Sequence, residues 1–173
     1  MGRLENLLGA LSLTVSDRAV GPGLAAGMSV TDQAALVTLH AYPGRTTSWL
    51  GGVLGLTSSG STRLVDRLVA AGWVQRAAGD DSRQRRLSLT TEGTVRSEQL
   101  QKDRQVMLTE CVAPLDAHDR AQLEPVLERL VSSLTTSHLS ALTTCRLCDR
   151  GACREEDVAC PLDHTIPEGF GDE

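Results

Sequence analysis

Aromatic side chains are almost missing from this chain: two Trp, one Tyr and one Phe stand among 173 residues. A core without aromatics must be filled by Leu, Val and Ala, which favours helix packed on helix. Long apolar runs are missing too, and no stretch approaches the roughly eighteen residues of a membrane span. The N-terminal MGRLENLLGALSLTVSDRAVGPG has a short apolar stretch, but Glu5 precedes it and Leu4, Leu7, Leu8 and Leu11 recur at helical spacing. It reads as an amphipathic helix and not as a signal peptide. The cytoplasm is then the expected compartment, where disulfides are disfavoured. Enzyme signatures are missing as well. There is no Gly-rich phosphate loop and no Gly-x-Ser-x-Gly, and the histidines (His40, His118, His138, His164) are scattered. No enzymatic activity is expected.

What is present is an uneven distribution of charge. The net charge is −5. Residues 145–173 carry Arg146, Arg150 and Arg154 against eight acidic side chains, which accounts for all of it. Between Thr57 and Leu87 the balance reverses, with Arg63, Arg67, Arg76, Arg83, Arg85 and Arg86 against Asp66, Asp80 and Asp81. An arginine-rich middle suggests a polyanion partner, and an acidic end suggests a separate task. A solvated face without a ligand is the plainer explanation of the same charges.

Local signals give mostly helices. Gly21-Pro22-Gly23 and Gly27 mark a loop after the first helix. Ser29-Val-Thr-Asp32 is a capping box that opens a second helix, broken at Tyr42-Pro43-Gly44. Thr46 or Thr47 starts a short helix, and Gly55-Leu-Thr57 turns into another that Gly72 ends. Two helices joined by a Gly-bearing turn form a helix-turn-helix unit. The period then changes. Trp73–Arg76 and Arg86–Thr90 read as two strands about a turn at 78–82. Long helices follow at about 92–115 and 119–142, the second with Leu123, Val126, Leu127, Leu130, Val131 and Leu134 on one stripe. A small winged domain cannot cover those stripes, so they and the first helix are expected to form a dimer interface. An intramolecular helical pair is the alternative.

The fold class is therefore mainly α with a small β-hairpin wing. Here the residues resemble the MarR family of bacterial transcription regulators. LVDRLVAAGWVQR, from Leu64 to Arg76, looks like that family's recognition-helix exit and first wing strand. DSRQRRLSLTTEG is similar to its wing signature, through Asp81, Arg83, Leu89, Thr90 and Gly93. The resemblance covers about residues 1–142. It implies a homodimer that binds a pseudo-palindromic operator in double-stranded DNA, usually as a repressor, and sometimes a small-molecule effector. Asp81 is placed to hold Arg83 in one rotamer, so that the arginine enters the groove already oriented. Ser59, Ser61, Thr62 and Arg63 would face the major groove, with Arg67 and Arg85 as further contacts. Hydroxyls donate or accept, so they read bases ambiguously, and arginine–phosphate contacts should carry much of the affinity.

Four of the five cysteines stand close together, as Cys145-x2-Cys148-x4-Cys153-x6-Cys160, with His164 beyond them. The fifth, Cys111, lies among Val106, Met107, Leu108 and Val112 and reads as a small buried hydrophobe, with a peroxide-sensing thiol as the alternative. Soft thiolates at this spacing select zinc or an iron–sulfur cluster. The compact spacing resembles a zinc knuckle, and the all-cysteine set with its final Ala-Cys-Pro-Leu resembles the iron–sulfur loop of SoxR-type regulators, although the third cysteine is spaced differently. An iron–sulfur cluster is preferred over structural Zn2+, and a Cys3His site using His164 remains open. The expected organisation is a dimerisation helix at 1–28, a winged helix-turn-helix at 29–93, dimerisation helices at 94–142 and a metal-binding acidic tail at 143–173. The expected function is a dimeric transcription regulator whose DNA binding is modulated by the thiolate centre or by a small ligand. The competing reading is a metal-binding module that uses its winged helix to dock a protein partner.

Overall fold

The computed structural model describes residues 2–78, 85–153 and 159–166. Among these the chain order is α1 (Arg3–Ala25), α2 (Val30–Ala41), β1 (Arg45–Thr46), α3 (Thr47–Val53), α4 (Ser58–Ala70), β2 (Val74–Ala78), β3 (Arg85–Leu89), α5 (Thr91–Val112), α6 (Ala117–Ser133) and α7 (His138–Thr144), with a 3-10 turn at Asp163–Thr165. The mainly helical, winged arrangement expected from the sequence is present.

Hydroxyl side chains open the helices of the central unit. Ser29 accepts from the Asp32 amide while the Asp32 carboxylate accepts from the Ser29 amide, a complete capping box. Thr46, Thr57 and Thr90 cap α3, α4 and α5 by accepting from Trp49, Gly60 and Gly93. Gly55 and Gly72, at φ 65° and 76°, make the left-handed turns that stop α3 and α4. The core between these helices is aliphatic. Leu36, Leu39, Leu50, Val65, Leu68 and Leu87 are almost fully buried and belong to one cluster. The sheet has the order β1-β3-β2 and is antiparallel throughout, with Arg76 opposite Leu87 and Thr46 opposite Arg86. The two-stranded hairpin expected from sequence thus gains a third strand, β1, only two residues long and too short to read as a periodic pattern.

Two helix boundaries differ from expectation. The expected loop at Gly21-Pro22-Gly23 is helical, and α1 continues to Ala25. The reason is tertiary packing. The Gln33 amide donates to the carbonyls of Val20 and Met28, and a Cβ at Gly23 would collide with the Gln33 side chain. The stop lies instead at Gly27, with φ 81°. The long helix expected to reach Leu142 ends at Ser133. A new helix starts after Ser137, which forms its own capping box with Ser140.

The outer helices cover little. No residue of α6 is buried, and Val126, Leu127 and Leu130 are 39–46% exposed. On α1, Leu4, Leu7, Leu8, Leu11 and Leu13 are likewise exposed. Among the described residues no helix is long and apolar enough to cross a membrane.

Candidate nucleic-acid interface and cysteine segment

The second helix of the helix-turn-helix, α4, has two faces. Ser61, Leu64, Val65 and Leu68 point inward and are buried. Ser59, Thr62, Arg63 and Asp66 lie on the opposite, exposed side. Ser61 therefore does not face a groove, contrary to expectation. It is 3% exposed, its hydroxyl donates to the Thr57 carbonyl, and its Oγ lies where a Cβ at Gly51 would stand. The small hydroxyl and the glycine let α3 and α4 approach closely. Thr62 keeps an exposed hydroxyl but donates it to the Ser58 carbonyl, which leaves an acceptor facing outward.

Arg67 is committed within the chain. Its Nη2 and Nε lie 2.6 and 3.1 Å from one carboxylate oxygen of Asp32. Burial alone would raise the Asp32 carboxyl, but hydrogen bonds from Ser29 and Arg67, together with the charge of Arg67, hold it below the usual carboxylate range. The pair locks the start of α2 to α4. Asp32→Ala should destabilise the fold by about 1–3 kcal/mol at neutral pH, since it frees a buried cap and an arginine. A depressed carboxyl stabilises the fold above its unfolded value, about 3.9, and the gain is lost as pH falls through the folded value. The difference between wild type and variant in urea unfolding should thus shrink as pH falls from 5 towards 2. A difference that stayed constant would show that the Asp32 charge contributes nothing.

The wing is described in part. Arg85 opens β3 and is exposed. Asp81 and Arg83 lie outside the described residues. Arg76 pairs with Asp66 of α4 at 2.6 Å, joining β2 to the exposed side of that helix. Thr90 does two jobs at the far end of the wing. Its hydroxyl donates to the Gly72 carbonyl at 2.6 Å and accepts from Gly93 at 3.1 Å.

The cysteine segment docks on the central unit, a placement that spacing alone did not reveal. The Thr143 hydroxyl of α7 lies 2.9 Å from the Val53 carbonyl of α3, and the Thr38 hydroxyl of α2 lies 3.4 Å from the Arg146 carbonyl. The Arg150 guanidinium stands 4.6 Å from the Tyr42 ring, which in turn lies 5.3 Å from Trp49 of α3. Cys145, Cys148 and Cys160 line a cavity of about 50 Å³ against Val37, Ala41 and Leu142.

All five cysteines are free thiols. Cys145 donates to Cys148, and this hydrogen bond is the main reason that the Cys148 thiol is pushed down, with the charges of Arg104 and Arg146 adding to it. The same bond pushes Cys145 up, followed by burial and by the charges of Cys148, Cys160 and Cys153. Burial, then the charges of Cys148 and Cys160, raises Cys153. Cys145 and Cys153 thus sense the charge of neighbouring thiols. Among the described residues, which include all four of these cysteines, no group of three or more His, Cys, Asp or Glu side chains is placed to hold a metal ion. His164 points elsewhere. Its ring nitrogens lie 3.0 and 3.1 Å from the carbonyls of Pro161 and Thr135, so it staples the last turn to the end of α6. Cys111 is half-buried, with its sulfur 3.5 Å from that of Met107.

Residues 26–84 match the model of the MarR family. Reduced MarR from E. coli is 28% identical, with a TM-score of 0.63, and the match covers 76% of this chain and 98% of that one. The fold is that of the MarR regulators. The apo form of E. coli MarR gives the same picture at 26% identity and a TM-score of 0.58, covering 76% of this chain and 96% of that one. MepR, a transcription regulator of the Staphylococcus aureus multidrug efflux pump MepA, is 21% identical with a TM-score of 0.67, covering 75% and 97%. No curated protein matches the sequence. MarR family proteins are transcription regulators and not enzymes. The likeness of the cysteine segment to a SoxR-type loop finds no support in these comparisons, since the matched family model ends at residue 84.

Proposed function

We propose that this protein is a homodimeric, cytoplasmic repressor that binds a pseudo-palindromic operator, and that a thiolate metal centre in its C-terminal segment, iron–sulfur or zinc, sets its affinity for DNA. The observation that carries the DNA reading is the outward face of α4. Ser59, Thr62 and Arg63 are exposed there, and the wing strand β3 begins with exposed Arg85. A helix of this kind enters a major groove while a basic wing takes phosphates or the adjacent minor groove. The exposed leucines of α1 and α6 supply a seam between two copies, and two-fold symmetry of the protein matches two-fold symmetry of the operator.

Gel shifts on the DNA upstream of the protein's own coding sequence test the reading. Binding should fall steeply with salt, as release of counterions from phosphate requires. Arg83→Ala should weaken specific binding by about 1–3 kcal/mol and leave the dimer intact. Equal binding by wild type and Arg83→Ala across the salt range would remove the wing from the interface.

A further inference from the structure

The arm helix α6, which carries leucines of the proposed seam, is tied loosely to its own protomer. None of its residues is buried. Among the described residues no hydrogen bond or ion pair runs directly from it to the helix-turn-helix; its Arg120 reaches only the Leu115 and Val112 carbonyls at the end of α5. Between Ser133 and His138 the helix breaks. We propose that α7 and the turn at 160–166 form a strap across this break, which fixes the angle between α6 and α4 and so the half-site spacing that the dimer accepts. The inference rests on the dimeric, DNA-binding reading above and calls for no metal ion.

The strap can be followed contact by contact. Thr135, inside the break, is 2% exposed. Its hydroxyl donates to the Val131 carbonyl of α6 at 2.8 Å, and its own carbonyl lies 3.1 Å from a ring nitrogen of His164. The other ring nitrogen lies 3.0 Å from the Pro161 carbonyl, so the imidazole pins the turn to the end of α6. Leu162, buried in that turn, lines one cavity with Ala141 and Leu142 of α7 and Val37 and Ala41 of α2. From α7 the Thr143 hydroxyl donates to the Val53 carbonyl of α3 at 2.9 Å. Leu139 passes over the same helix, since a Cβ on Gly52 would lie 3.8 Å from its Cδ1. The last link is tight: a Cβ on Gly51 of α3 would fall on the Ser61 Oγ of α4. A shift of α3 therefore carries the recognition helix with it.

Each link is packed or hydrogen-bonded, and close-packed interiors pass displacement on instead of absorbing it. The consequence is a preorganised pair of recognition helices. Half-sites on one face of the duplex lie about 34–36 Å apart, and one added base pair moves a half-site by about 3.4 Å and about 35°. A strapped dimer follows such a change only by bending the DNA or by losing contacts. A dimer free to pivot at residues 134–137 follows more easily, but it must order itself at the moment of binding and so binds less tightly.

The operator is located by footprinting the DNA upstream of the coding sequence. Binding of the full-length protein is then measured on it and on versions with one or two base pairs inserted between the half-sites. Wild type should lose affinity by about 5–150-fold on insertion, the range of a typical coupling between sites. His164→Ala, at an exposed side chain, should keep the wild-type urea midpoint and the dimer. It should bind the native operator several-fold more weakly and lose most of the discrimination against insertions. Thr143→Val should do the same, and Thr143→Ser, which keeps the hydroxyl, should behave as wild type. The double variant His164→Ala/Thr143→Val should be no worse than either single variant, because a strap severed once is already released. Unchanged discrimination in both single variants, or losses that simply multiply in the double variant, overturns the strap and leaves the DNA reading standing. A wild-type protein that binds no upstream DNA, or that sediments as a monomer, overturns both.

Discussion

Leu130→Asp should leave the protein unable to assemble and unable to hold its operator. Leu130 is 39% exposed and its neighbour Leu127 46% exposed on a helix with no buried residue. A seam between two copies would remove that area from water, and each leucine fully buried is worth roughly 1.5–3 kcal/mol. Two-fold symmetry counts every such side chain twice. A carboxylate in the same place loses that gain and adds the cost of an unpaired charge in an apolar contact, several kcal/mol in all. Sedimentation at micromolar concentration should show a monomer or an unfolded chain, and gel shifts should show operator binding reduced by orders of magnitude, because a single winged helix grips half a site. A soluble, folded variant that still sediments as a dimer would place the interface on another face.

The helix-turn-helix was legible because its signals are local. Ser29 with Asp32, Thr57 before Ser58 and Gly72 after Ala70 each act within one turn of chain, and the structure has each of them where the sequence put it. The misreadings share a different cause, a partner distant in sequence. Ser61 reads as a groove residue until Gly51 is seen to press against it. Gly21-Pro22-Gly23 reads as a loop until Gln33 is seen to take the Val20 carbonyl. The break after Ser133 did have a local signal, the cap at Ser137, but the leucine stripe running through it argued for continuity. In the cysteine segment the spacing pointed to a shared ligand. It did not say that the segment would lie on α2 and α3, because Thr143–Val53 and Thr38–Arg146 are contacts between residues about a hundred positions apart. Nothing in the pattern of cysteines encodes Tyr42 as their neighbour.

Gly93→Ala should be the most damaging single methyl in the central unit. Gly93 is the third residue of α5, and its amide donates to the cap at Thr90, 3.1 Å away. A Cβ there would overlap the Trp73 carbonyl oxygen and stand 2.9 Å from its carbon. That carbonyl accepts the Thr90 amide at 3.0 Å, so the obstacle is backbone already held in place and not a side chain that can rotate aside. Alanine improves helix propensity over glycine by about 1 kcal/mol. Forcing apart the junction of β2 and α5 opposes this, and overpacking against fixed atoms costs 1–3 kcal/mol or more. The clash should win, with a net loss of about 1–3 kcal/mol in urea unfolding. DNA affinity should fall further than stability predicts, because Trp73 leads directly into the first wing strand and Thr90 ties the last one to Gly72. A shift at this junction turns the wing relative to α4, so that helix and wing no longer meet the duplex together. Two measurements separate the effects: the urea midpoint, and operator binding at a temperature where the variant is fully folded. A folded variant with wild-type affinity would show that the wing is not held in register by this contact.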